Sequence, residues 1–364
     1  MTSITLENKD IPTKELKFPE FENISVSTKT FTATTNLVID IKKLFNVLPV
    51  TPYIVIPKKR GRKKKGPQIN PNEGIKSGSI VTIKCEGELR GVILNPKKNK
   101  NGKKKKWFRN SITVVIILDK PINFKICRNG TFQMTGCKNH EHAESCVKHV
   151  WEYLRINPEL YTMSRAGPEL DVLFIPSMRN IDFSLGFLVD RGKLNKYMSD
   201  QKEYHCLLET SFGYTGVNIK IPLANDIRTM EIKKSTGHVD GTWKERWTTY
   251  AEYLALLTPK EQAAKLKSKR YNTFLVFHSG NCIMSGLTEK FMEPVYEFFT
   301  SMIRKAYDDI EERLDTSLQG LSMEEEAAMI EDEFTDLPCG NFSRQLEKTR
   351  TESKNKLLPK TEVF

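Results

Sequence analysis

Apolar residues recur at helical spacing in two separated stretches of the chain. Ala143, Val147, Val150 and Leu154 form one stripe, and Met292, Val295, Phe299 and Met302 form the other. Each predicts a long amphipathic helix packed by one face. Upstream of each lie short segments rich in β-branched and aromatic residues and punctuated by turn residues, which predict strands. Before the first helix they cover residues 24–35, 79–92, 112–118, 122–127 and 131–135. Before the second they cover 181–189, 204–212, 217–223, 272–277 and 281–285. A short helix with aspartate at its N-cap follows the leading strand of each set, over 40–48 and 190–198. Arg128-Asn129-Gly130 and His278-Ser279-Gly280 predict hairpin turns whose glycine takes positive φ.

The two sets read as copies of one unit. ICRNGTFQMTG around Ile126 matches VFHSGNCIMSG around Val276, and Gly130 and Gly280 stand 150 positions apart (280 − 130). Asp40 and Asp190, Lys43 and Lys193, and Leu44 and Leu194 share that offset (190 − 40), within IDIKKL and VDRGKL. Equal offsets at both ends mean a repeat of a hundred residues or more, longer than a solenoid unit. Strand–helix–four strands–helix buries one face of a curved antiparallel sheet under helices and leaves the other face free. The expected class is α+β, with two pseudo-symmetric repeats forming a saddle and helices on its convex face. The repeats span 23–157 and 171–306, the second with an insert at 224–269. An N-terminal extension covers 1–22 and an acidic, then polar, tail covers 307–364.

Charge turns the free face into a candidate binding surface. The 364 residues carry a formal charge of +12, which favours a polyanionic partner, nucleic acid before membrane because no basic amphipathic helix is evident. Lysine and arginine gather at 58–65 (KKRGRKKK) and 97–109 (KKNKNGKKKKWFR), whereas 308–336 is acidic. Such runs also serve as solvated loops. A hydrophobic fraction of 38% predicts polar insertions or tails. No apolar run suits a membrane span or a signal peptide. Seven cysteines without framework spacing fit a reducing, intracellular compartment.

The layout and the motifs ICRNGTFQMTGCK, VFHSGNCIMSGLT and LVIDIKKLF resemble the TATA-binding protein family, over about residues 24–155 and 171–304. The lysine-rich, insertion-rich form is similar to the divergent versions of large DNA viruses. The resemblance implies a transcription initiation factor whose concave sheet binds the minor groove of an A·T-rich promoter in double-stranded DNA. It would recruit RNA polymerase and general transcription factors, without cofactor or catalysis, in the nucleus or in a viral cytoplasmic factory or virion. Phenylalanines of the family wedge between base steps, and Asn, Val and Thr read the groove floor. Carried over, one wedge falls on Phe277 and its partner on Tyr214, with Phe212 adjacent. In the first copy these positions are Cys127 and about Ser111, so Phe108 or Trp107 would have to take over from a re-registered loop. The floor maps onto Thr135 and Ser285, Gln133 and Ile283, and Asn180, with Asn23 or Thr28 as the first-copy counterpart of Asn180. Asp182 falls on the face that Asn180 occupies and opposes DNA unless paired. Lys103, Lys104, Lys105 and Lys106 fall in the family's stirrup loop, where they would touch phosphates.

Several features carry more than one reading. Arg60-Gly61-Arg62 is similar to an AT-hook core and to a nuclear localisation signal, and it also suits a basic linker. His142, Cys146 and His149 fall on one helical stripe near Cys137 and His140, a spacing open to zinc, although the family holds no metal there. The chain has no phosphate-cradling glycine loop, nucleophile elbow or carboxylate set, and the insertions are too short to hold the catalytic domain of a nuclease or glycosylase. A protein–protein scaffold on the same fold is the alternative, holding partners on its helical face through Trp151, Tyr153 or Tyr296. Thr258-Pro259-x-Glu261 predicts a capped helix in the insert. The acidic tail, with Leu321, Met323 and Phe334 interspersed, is expected to compete with DNA for the concave sheet or to form a solvated helix.

Overall fold

Asp40 and Asp190 open two short helices by the same bond: each Oδ1 accepts a backbone N–H three residues on, from Lys43 at 3.1 Å and from Lys193 at 3.0 Å. The computed structural model describes residues 16–55, 71–94, 108–165, 167–201, 204–209 and 216–313. Elements before residue 165 are β1 (Val26–Thr35), β2 (Leu37–Ile39), α1 (Ile41–Val47), β3 (Ser79–Cys85), β4 (Glu88–Gly91), β5 (Ser111–Ile117), β6 (Pro121–Cys127), β7 (Thr131–Cys137), α2 (His140–Leu154) and β8 (Tyr161–Met163). After it come β9 (Leu170–Ser184), α3 (Arg191–Asp200), β10 (His205–Glu209), β11 (Gly216–Pro222), β12 (Glu231–Gly237), β13 (Trp243–Thr249), α4 (Tyr250–Ala255), α5 (Pro259–Lys267), β14 (Tyr271–Phe277), β15 (Asn281–Gly286) and α6 (Glu289–Ile310).

An antiparallel sheet runs β10-β11-β14-β15-β9-β1-β7-β6-β5-β3-β4, with β12 and β13 added beside β9. The class is α+β. Period-two burial sets the two faces. Phe132 and Met134 of β7, Ile122, Phe124 and Ile126 of β6, and Phe31 and Ala33 of β1 are buried with Val147, Val150 and Leu154 of α2. On the other half, Ile181 and Phe183 of β9, Cys282 and Met284 of β15, and Phe274 and Val276 of β14 are buried with Phe299, Met302 and Ile303 of α6. The Phe274 and Phe299 rings stack at 3.9 Å.

The hairpins close alike. Gly130 (φ 72°) and Gly280 (φ 77°) donate to Cys127 O and Phe277 O, each at 3.0 Å. The segment that precedes each short helix docks on the hairpin, with Ile39 N donating to Arg128 O and Val189 N to His278 O.

Three sequence expectations need correction. The leading strand of the second set runs over Leu170–Ser184, not 181–189, because it also pairs with β1 and β12, long-range bonds that a local pattern does not display. Gly186, at φ 82°, stands where the strand has given way to a bend. The segment 79–92 is a hairpin, broken where Glu86 and Gly87 take positive φ (44° and 101°). Trp151 and Tyr296 are buried, so they are core residues and not partner anchors; Tyr153 donates its hydroxyl to Val47 O at 3.0 Å.

Candidate nucleic-acid interface

The face opposite α2 and α6 is read from strand register. On β1, Thr28, Thr30, Thr32 and Thr34 alternate with the buried side. Thr32 pairs with Gln133 and Thr34 with Thr131, and Thr135 pairs with Asn123 on β6, donating its hydroxyl to Asn123 O at 3.3 Å. Gln133 and Thr135 are exposed. This half offers a field of hydroxyl and amide groups.

The second half continues it. Asn180, paired with Ser285, and Asp182, paired with Ile283, occupy the open side of β9 and β15. Thr28 pairs directly with Asn180, whereas Asn23 lies in a short turn and donates to Glu20. Phe31 pairs with Met134 as Ile181 pairs with Met284, so register makes Thr30, and neither Asn23 nor Thr28, the first-half counterpart of Asn180. The Oδ1 atoms of Asn180 and of Asn218 on β11 are buried and have no hydrogen-bond partner among the described residues. Leaving such an atom unsatisfied costs about 1–3 kcal/mol. The two ends of an amide exchange by a flip, so each asparagine can present an N–H donor to an acceptor ligand. Asp182 is exposed, and among the described residues no cation lies within salt-bridge distance of it.

Aromatic groups stand at both ends of this face. Phe277 closes β14 half-exposed, lining one shallow depression with Asp182 and Ile283. Phe108 is 69% exposed and lines a second depression with Ser111 and Cys127, with Lys125 Nζ 3.8 Å from its ring centroid. An aromatic ring thus stands beside the two first-copy positions that carry none. Tyr214, Phe212, Trp107, Lys103, Lys104, Lys105, Lys106, Arg60, Arg62 and the acidic run from residue 314 onward lie outside the described residues.

Part of the face is covered, contrary to the expectation that it stays free. Leu173 and Ile175 pair with Thr34 and Thr32, which puts them on the open side. They are buried by Ile227, Met230, Ile232, Tyr250, Tyr253 and Leu254 of the insert. Burying two such side chains contributes on the order of 3–6 kcal/mol. Sequence reading found the capping box at Thr258 and Glu261. It missed β12, β13 and α4, whose local signal is a few threonines and the aromatics Trp243, Trp247, Tyr250 and Tyr253 in a charged stretch.

Glu252 holds α4 to this hairpin. Its carboxylate accepts from Thr248 Oγ1 and Arg246 Nη2, each at 2.7 Å, and lies 3.5 Å from Lys234 Nζ. The Thr248 and Arg246 hydrogen bonds hold its pKa down to about 2, from an ordinary 4.5. A depressed carboxylate adds stability above its unfolded pKa and loses it as pH falls through the folded one. The insert is therefore expected to loosen between pH 4.5 and 2. Urea midpoints of wild type and Glu252→Gln should converge over that window; parallel curves would show that this carboxylate contributes nothing.

The zinc-spaced residues are otherwise engaged. His142 Nε2 lies 2.8 Å from Asp119 and its Nδ1 accepts from Lys138 N, His149 Nδ1 bonds Ser145 O, and Cys137 and Cys146 are buried. No helix among the described residues is long and apolar enough to cross a membrane.

No family model matches the chain. It is 29% identical over 304 residues, 80% of its length and 85% of the relative's, to uncharacterized protein 335L of Invertebrate iridescent virus 6. It is 30% identical over 146 residues to the TATA-box-binding protein-like protein of Acanthamoeba polyphaga mimivirus, a match over 32% of this chain and 39% of that protein. Among solved structures it is similar to the TBP of Methanococcus jannaschii, at 11% identity and a TM-score of 0.34, over 79% of this chain and 99% of that one. The chain is thus similar to proteins of two viruses, and over about a third of its length to one named TATA-box-binding protein-like.

Proposed function

We propose that the open face binds the minor groove of A·T-rich double-stranded DNA and that the protein acts in transcription initiation, recruiting RNA polymerase and general transcription factors. The observation that carries this is the hydroxyl- and amide-lined face, Thr28, Gln133, Thr135, Asn180 and Ser285, with an aromatic ring at either end. A·T pairs present only acceptors in the minor groove, which suits a floor of hydroxyl and amide donors. Phe277 and Phe108 are the groups placed to enter base steps, and a wedge of this kind kinks the duplex.

The sheet order supports two diverged copies, 23–157 and 171–306, forming a saddle. From the β9–β1 centre outward the strands read leading strand, last, fourth, third, second on either side. In this reading α4 and its hairpin wall one side of the groove.

Lys103, Lys104, Lys105 and Lys106 then add affinity by neutralising phosphates. Replacing all four by serine should weaken every sequence alike and lower the slope of log affinity against log salt by roughly 0.9 for each phosphate no longer neutralised. Fluorescence anisotropy on A·T-rich and random duplexes between 50 mM and 200 mM salt, a range over which six to ten phosphate contacts carry about 10³–10⁵ in affinity, reads this out. An unchanged slope would remove these lysines from the interface. Absence of any A·T preference in the wild type would favour a protein-binding scaffold instead.

A further inference from the structure

On the edge turned away from β1, residues 175–178 of β9 have no strand neighbour. Its pairing with β12 ends at Phe174, and its pairing with β15 begins at Arg179. A cavity of about 230 Å³ opens there, lined by Lys29, His140, Arg179, Trp247, Lys290 and Phe291 among others. Both long helices begin at it. The first turn of α2 is capped by Asn139, whereas Thr288 makes no side-chain cap on the 22-residue α6. An uncapped helix start presents free N–H groups and the positive end of the helix dipole.

The side chains add to that field. Arg179 is only 9% exposed; Glu289 takes its Nη1, and its Nε has no partner among the described residues. A guanidinium binds an oxyanion by charge-assisted hydrogen bonds, and the edge that Glu289 leaves unfilled is the one Arg179 would turn toward it. Lys29 is pulled below its ordinary range first by burial and then by the Arg179 charge. His140 is brought to about 4 by burial, so its ring is neutral near pH 7, and its buried Nδ1 also lacks a partner. Glu231 and Glu289 are the carboxylates lining the cavity, against Lys29, Arg179 and Lys290. A desolvated cation with unfilled donors is stabilised by an anion brought into reach.

We propose that this pocket is a phosphate-binding site, in which the oxyanion is held by the Arg179 guanidinium, Lys29 and the first-turn amides of α6, with Trp247 at one wall. None of Thr28, Gln133, Thr135, Asn180, Ser285, Phe277 or Phe108 lines this cavity, so it stands or falls independently of the DNA reading. The phosphate is either free or borne on a side chain of another protein. Calorimetric titration of the full chain with inorganic phosphate, and in parallel with N-acetyl-phosphoserine amide, separates the two sources.

Saturable binding is expected in at least one titration at constant ionic strength, with a rise in thermal midpoint that chloride does not reproduce. Lys29→Gln should weaken it about tenfold, the effect of removing one hydrogen bond between charged groups, and Lys290→Glu, which reverses a charge lining the cavity, should weaken it by at least as much. Glu289→Gln, which removes the competing carboxylate, should tighten it. Tighter phosphoserine binding assigns a modified partner, and equal or tighter inorganic phosphate assigns the free ion. Absence of heat and of any midpoint shift at 10 mM of either probe (roughly ten times a millimolar Kd) would overturn the site. So would wild-type affinity in both Lys29→Gln and Lys290→Glu.

Discussion

The double variant Phe277→Ala, Phe108→Ala should lose most of its preference for an A·T-rich duplex while remaining folded. Stacking of an aromatic ring on a base is worth about 1–3 kcal/mol, so removing two rings corresponds to roughly 30-fold or more in affinity. Phe108 is largely exposed and Phe277 only half-buried, so neither truncation opens a core cavity. Each single variant should keep one kinked end and show an intermediate loss. Competition anisotropy with A·T-rich and random duplexes measures the difference. Wild-type discrimination in the double variant would mean that the rings are not wedges.

The second large effect concerns stability. Gly280→Ala places a side chain at φ 77° and a Cβ 2.2 Å from the Phe187 carbonyl oxygen; Gly130→Ala does the same at φ 72°, with Leu37 O at 2.3 Å. Both obstacles are backbone, so the hairpin must separate from the segment it docks on. Left-handed strain of about 1–2 kcal/mol adds to an overpacking term of about 1–3 kcal/mol. A loss of several degrees in thermal midpoint is expected from either substitution. Gly74→Ala is the control, since its positive φ carries the strain without any neighbour within 4 Å. If all three lose the same amount, the docking of hairpin on strand is not what these glycines protect.

These two glycines were also the most legible part of the sequence. A turn that needs positive φ constrains residue type directly, so Gly130 and Gly280 carried the repeat, and the aspartate caps carried the helix starts. Helices α2 and α6 announced themselves by apolar spacing, because one buried stripe is a local property of the chain. What escaped the sequence was non-local. The early start of β9 depends on β1 and β12, and the cover over Leu173 and Ile175 depends on an insert some 50 residues further on (Ile227 − Ile175 is 52 positions). Phe108 was legible as a candidate because it stands three residues before Ser111, and its place beside Cys127 follows from the Ser111–Cys127 pair. The phosphate pocket had no signature at all, since its cations come from β1, β9 and α6.

An open face that grips a duplex and inserts a ring at either end must also bend it. The most direct measurement is energy transfer between dyes at the two ends of a short A·T-rich duplex, titrated with the full-length protein. End-to-end shortening is expected that saturates with binding, is weaker for random duplex, and falls stepwise in Phe277→Ala and in the double variant with Phe108→Ala. Saturated binding with no change in end-to-end distance, or a bend that both variants retain in full, would contradict minor-groove wedging by this face.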